Sequence, residues 1–98
     1  MLESIKQVID NLNGGGFCCE SEIMETKRFY RVLFSYHVMD DAGYYRGYCY
    51  FTVAWEKSNK RGALGFKVSF NGRDGQHLNR KFQLRDFIED EIVNAMED

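Results

Sequence analysis

Proline is absent from this chain of 98 residues, so no periodic stretch is interrupted by a residue that fixes φ and lacks an N–H. No run of about 18 apolar residues occurs, the length at which a membrane helix becomes the reading. Met1 to Asp10 carries the acidic Glu3 and an amphipathic rather than uniformly apolar pattern, so neither a membrane span nor a secretory signal is expected. Cysteine is scarce: Cys18, Cys19 and Cys49 are an odd number, two of them adjacent, which does not make a secreted disulfide framework and fits a reducing cytoplasm. No Cys-x-x-Cys or similar ligand spacing occurs, and His37 and His77 are the only histidines, so no metal and no cofactor is expected. Internal repeats, low-complexity tracts and linkers are missing as well.

What is present suits one folded unit. A hydrophobic fraction of 44% and an aromatic fraction of 15% can fill a core, while 29% charged residues keep the composition away from disorder. The length leaves no room for two cores, and a single α+β domain over residues 1–98 is expected. The formal charge of -2 is unevenly spread. Residues 1–56 hold five basic and eight acidic side chains, residues 57–81 seven and one, and residues 82–98 one and six. The basic middle and acidic tail are adjacent in sequence and are expected to neutralise each other in part.

Leu2, Ile5, Val8, Ile9 and Leu12 fall at helical spacing, and Asn13 to Gly16 supply left-handed conformations to end the helix. The three glycines are not a phosphate loop, because no Lys-Ser or Lys-Thr follows and a helix rather than a strand precedes them. Phe17 to Met24 reads as an edge strand, followed by a polar turn over Glu25 to Arg28. Tyr30, Val32, Phe34, Tyr36 and Val38 then alternate with Phe29, Arg31, Leu33, Ser35, His37 and Met39, and period two sends the first set to the core. Beyond a turn at Asp40 to Gly43, Cys49, Phe51, Val53 and Trp55 form the apolar set, opposed to Arg46, Tyr48, Tyr50, Thr52 and Ala54. Leu64, Phe66, Val68 and Phe70 alternate with Gly65, Lys67, Ser69 and Asn71 in a last strand, whose four-residue loop places Leu64 beside Trp55. Asn71 to Lys81 is a basic loop, and from Leu84 the positions Phe87, Ile88, Ile92, Ala95 and Met96 trace an apolar helical stripe. The expected fold is α-β-β-β-β-α, a four-stranded antiparallel meander with the N-terminal and C-terminal helices packed on one face as a two-layer sandwich.

That arrangement leaves the other face of the sheet open. Cross-strand neighbours there are expected to bring Cys18, Ser35 and Tyr50 into one row, His37 near Tyr48 and Arg31 near Glu22. The stretch Arg46, Gly47, Tyr48, Cys49, Tyr50, Phe51, Thr52, Val53 resembles the ribonucleoprotein octapeptide of RNA-recognition motifs, which reads Lys or Arg, Gly, aromatic, Gly or Ala, Phe, Val, any, aromatic. The resemblance implies that Tyr48 and Tyr50 stack on bases. It covers eight residues and departs at Cys49, Phe51 and Val53, and the family interleaves helices between strands whereas four strands here run consecutively.

A catalytic constellation is not expected. Alternation puts Cys49 and His37 on opposite faces, and Cys18 with His37 is only a diagonal pair on a flat surface without an oxyanion site. Cys19 and Cys49 belong to strands separated by a third, roughly 9 to 10 Å apart, too far for a disulfide. The acids Asp86, Glu89, Asp90 and Glu91 form a solvated helix face. The reading is therefore a small non-enzymatic cytoplasmic binding or regulatory protein, acting through protein contact or homodimerisation. The candidate surface comprises Arg46, Tyr48, Tyr50, Leu33, His37, Met39 and Lys67 on the open face, with Arg73, His77, Arg80 and Lys81 from the basic loop. The alternative is single-stranded nucleic-acid binding, with Tyr48 and Tyr50 stacking and the basic side chains on phosphates.

Overall fold

In a computed structural model, the structure describes residues 1–39, 45–70 and 81–97, with the side chains of 38–39, 45–48, 81–84 and 97 outside the description. The expected turn at Asp40 to Gly43 and the loop from Asn71 up to Lys81 lie outside the described residues, Lys81 itself opening the last helix. The elements are α1 (Leu2–Leu12), β1 (Phe17–Cys19), β2 (Met24–Glu25), β3 (Phe29–Met39), β4 (Tyr45–Glu56), β5 (Lys67–Phe70) and α2 (Lys81–Glu97). The sheet is antiparallel in the order β1-β3-β4-β5, with β2 also paired to β3. This is the α+β meander between terminal helices that the periodicity predicts.

Both helices contribute to one core. Ile5, Val8 and Leu12 of α1 and Ile88, Ile92 and Ala95 of α2 are buried together with Phe17, Val32, Phe34, Phe51, Val53, Trp55 and Val68 from the inner sheet face. The pairs Val32↔Val53 and Phe34↔Phe51 set apolar side chains directly opposite each other, and the Phe34 and Phe51 rings stack with centroids 5.6 Å apart. Tyr30 and Tyr36 are only partly buried, packed at the margin of this core. A bond from Asn11 Nδ2 to the Ala95 carbonyl, 2.7 Å, ties α1 to α2.

Four local features differ from the sequence reading. The helix α1 ends on Asn13 in an extended conformation, and the left-handed backbone comes afterwards, at Gly14 and Gly16, where it turns the chain back into β1. The single edge strand expected from Phe17 to Met24 is two short strands on the same side of β3. Between them the Ser21 hydroxyl accepts the Leu33 N–H at 2.9 Å, the place a backbone carbonyl would hold in a continuous ladder. Consequently Arg31 lies opposite Met24 rather than near Glu22.

The start of the last strand also moves. Gly62–Gly65 is a 3₁₀ turn, and Leu64, expected beside Trp55, is 48% exposed. The reason is polar: the fully buried Trp55 donates its indole N–H to the Ala63 carbonyl at 3.1 Å, and Asn59 Oδ1 accepts the Arg61 N–H at 2.8 Å. A buried indole needs an acceptor, and supplying one turns Ala63 in and Leu64 out. Finally, pairing between β3 and β4 steps from Val38↔Gly47 to Met39↔Tyr45, so Arg46 is the residue the ladder skips at a bulge. The strict alternation that grouped Arg46 with Tyr48 and Tyr50 does not run through it.

Candidate functional site: the outer sheet face

The face of the sheet turned away from the helices carries the residues out of phase with the core. Its rows follow from the register. Cys18, Ser35 and Tyr50 are cross-strand neighbours, as are Leu33, Thr52 and Ser69, and Met24, Arg31, Ala54 and Lys67. The first of these rows is the one predicted, and His37 lies opposite Tyr48 as expected. Tyr50 is 38% exposed and Met24 46%, Leu33, His37, Thr52 and Ala54 are half-buried, and Arg31, Lys67 and Ser69 are exposed.

Ser35 departs from the rest, being 1% exposed on this outer face. Its hydroxyl donates to Glu20 Oε1 at 2.7 Å, and the Glu20 N–H in turn bonds the Leu33 carbonyl at 2.8 Å. The Glu20 side chain therefore lies back along the outer face towards Ser35, close enough to Cys18 to act on its thiol. Desolvation first, and then that carboxylate, push the Cys18 thiol above its ordinary value. At the opposite end of the face the charge is positive, from Arg31 and Lys67. The Arg31 guanidinium sits over the Phe29 ring at 5.3 Å.

Of the residues predicted for the site, the structure places Leu33, His37, Tyr50 and Lys67 on this face. Arg46, Tyr48 and Met39 have their backbones in the paired strands, and their side chains lie outside the description. Arg73, His77 and Arg80 lie outside the described residues, and Lys81 begins α2. The alternation put Glu20 and Met24 on the outer side of the edge strand but did not count them among the site residues; what it could not show is the break at Ser21, which sets Met24 opposite Arg31. Most of the basic loop from Asn71 to Lys81 lies outside the described residues. Lys57 Nζ bonds Glu25 Oε2 of β2 at 2.6 Å and lies 4.8 Å from the Tyr30 ring centre.

The three cysteines are free thiols, with β3 lying between the strands of Cys19 and Cys49. Among the described residues no group of His, Cys, Asp and Glu is arranged to hold a metal ion. No described helix is long and apolar enough to cross a membrane. Set against known protein families, curated proteins and solved structures, the chain matches none.

Proposed function

We propose that this chain is a non-catalytic cytoplasmic contact protein that pairs with a second copy of itself through the outer sheet face. One observation carries the reading: the face is self-complementary. Leu33 and Thr52 hold its middle, Tyr50 and Ala54 flank them along β4, and opposite charges sit at the two ends, Glu20 beside Ser35 at one and Arg31 and Lys67 on either side of Ala54 at the other. A two-fold axis parallel to the sheet, running across the strands in the interface above the Leu33–Thr52 row, reverses the order of the rows. It sets Tyr50 of one copy over Ala54 of the other, large on small, and Arg31 over Glu20. Apolar centre and charged rim are the usual anatomy of an interface, and an isologous contact requires this kind of reciprocity.

Free thiols support the reducing compartment. The Glu20 carboxylate on Ser35 puts negative charge on this face, which favours a protein surface over a phosphate chain.

The test is sedimentation velocity across a concentration series, with Arg31→Glu, Glu20→Arg and the double exchange. Each single change places like charges together and is expected to shift the protein towards monomer, and the double exchange to restore association. A monomer at every concentration, or singles that associate as the parent does, ends the reading. Retention of a labelled single-stranded oligonucleotide, falling steeply with salt, would replace it with nucleic-acid binding.

A further inference from the structure

A second surface, on a different side of the molecule, is the outer edge of β5. Which backbone groups it offers follows from the hydrogen-bond phase. The Glu20 N–H bonds the Leu33 carbonyl and the His37 N–H bonds the Gly16 carbonyl at 3.0 Å, so odd-numbered residues of β3 address β1 and even-numbered ones address β4. Through Phe34↔Phe51, odd residues of β4 address β3 and even ones address β5. Thr52↔Ser69 and Ala54↔Lys67 are then the bonded pairs of β4 and β5. Among the described residues β5 ends the sheet, so the N–H and C=O of Val68, and by the same phase those of Phe70, face away from β4.

An edge of this kind is a template for another strand. Beside it runs a cleft of about 480 Å³ lined by Phe66, Val68, Phe70, Arg85 and Glu89 among others. Arg85, from α2, reaches across and donates to the Val68 carbonyl, with its guanidinium 5.2 Å from the Phe70 ring centre. A guanidinium has five N–H donors. Among the described residues, the Val68 carbonyl is the partner found for those of Arg85.

We propose that the β5 edge binds an extended acidic segment of a partner protein by strand addition, with a partner carboxylate on Arg85. The charge decides the occupant. A neutral strand arriving at Val68 competes with Arg85 for the carbonyl and offers the displaced cation nothing. A strand carrying Asp or Glu gives Arg85 a carboxylate, a stronger acceptor than a neutral carbonyl, and its own N–H takes over the Val68 C=O while its C=O accepts the Val68 N–H. Arg85 thus acts as a gate that admits a strand by its charge, and Phe66 and Phe70 border the cleft for apolar side chains at alternate positions.

The experiment uses the full chain and two fluorescein-labelled heptapeptides of alternating Thr and Val, one with a central Glu and the other with Gln in its place. Fluorescence anisotropy is expected to show saturable binding of the Glu peptide, about tenfold or more tighter than the Gln twin. The Val68 amide is expected to move in the ¹⁵N–¹H spectrum and to gain protection from hydrogen exchange. Arg85→Lys is expected to reduce the preference for Glu, and Lys60→Ala, at an exposed turn position outside both surfaces, to leave peptide binding unchanged. Equal binding of the twins, no binding of either, binding with the Val68 amide unmoved, or loss of binding on Lys60→Ala overturns the proposal. Because the two peptides are compared on the unaltered chain, misfolding of the Arg85 variant does not shield it.

Discussion

At the scale of single residues, two positions are governed by their immediate surroundings. Cys18 is exposed, yet desolvation and the Glu20 carboxylate both favour its neutral form. A raised pKa in an acid means that the thiol stays protonated to higher pH, so thiolate is scarcer at neutral pH than for an ordinary cysteine. Alkylation by iodoacetamide is expected to be slower at pH 7 than for an unfolded cysteine peptide, to rise only above the usual cysteine range, and to quicken in Glu20→Gln. Mass spectrometry of the labelled chain checks all three. The second residue is Gly65. A Cβ there would lie 2.3 Å from the Asn59 side chain, whose Nδ2 donates to the Gly65 carbonyl at 3.4 Å. Gly65→Ala is expected to push Asn59 out of its turn and to cost about 1 to 3 kcal/mol in urea unfolding.

At the scale of elements, burial separates positions that look alike in the sequence. Ile92 and Phe87 both belong to the apolar stripe of α2, but Ile92 is completely buried whereas Phe87 is 40% exposed, stacked on Phe17 at a centroid distance of 6.2 Å. Ile92→Ala is expected to destabilise by about 2 to 5 kcal/mol, by lost transfer energy and the cavity left behind. Leu64 is another apolar residue of the strand-like pattern, and its place in the 3₁₀ turn makes Leu64→Ala nearly silent, within about 0.5 kcal/mol. Chemical denaturation of both variants checks the contrast. Removing the indole donor with Trp55→Phe strands the Ala63 carbonyl and is expected to cost about 1 to 3 kcal/mol. A larger loss at Leu64 than at Ile92 would mean that residues 62–65 belong to the strand after all.

At the scale of the whole molecule, the proposed contacts fall outside the face that the helices cover. Both helices bury their apolar stripes on the inner face, and association is assigned to the outer face and to the β5 edge. The two surfaces are separable by salt. Pairing through Arg31 and Glu20 rests on exposed charges, which 0.5 M salt screens over a Debye length of roughly 4 Å, around an apolar middle that salt does not weaken. Self-association is therefore expected to decline modestly in high salt, and Leu33→Asp, which charges the middle, to abolish it. Sedimentation equilibrium checks both, and association that survives Leu33→Asp would place the contact elsewhere.

The division of residues between the two faces was legible in the sequence, since period two is a local property of an extended backbone. Val32, Phe34, Phe51, Val53 and Trp55 alternate with Leu33, Ser35, Tyr50 and Thr52 whatever the strands pair with. The break at Ser21, the turn that expels Leu64, the skipped Arg46 and the capture of the Val68 carbonyl by Arg85 were not legible. Arg85 left one trace, as the only base among the six acids of residues 82–98. Each depends on a partner distant in the chain, such as the Leu33 N–H for Ser21 and the Val68 carbonyl for Arg85. The tertiary structure decided these because a hydrogen bond needs its donor and acceptor in one place, and only the folded chain brings them there.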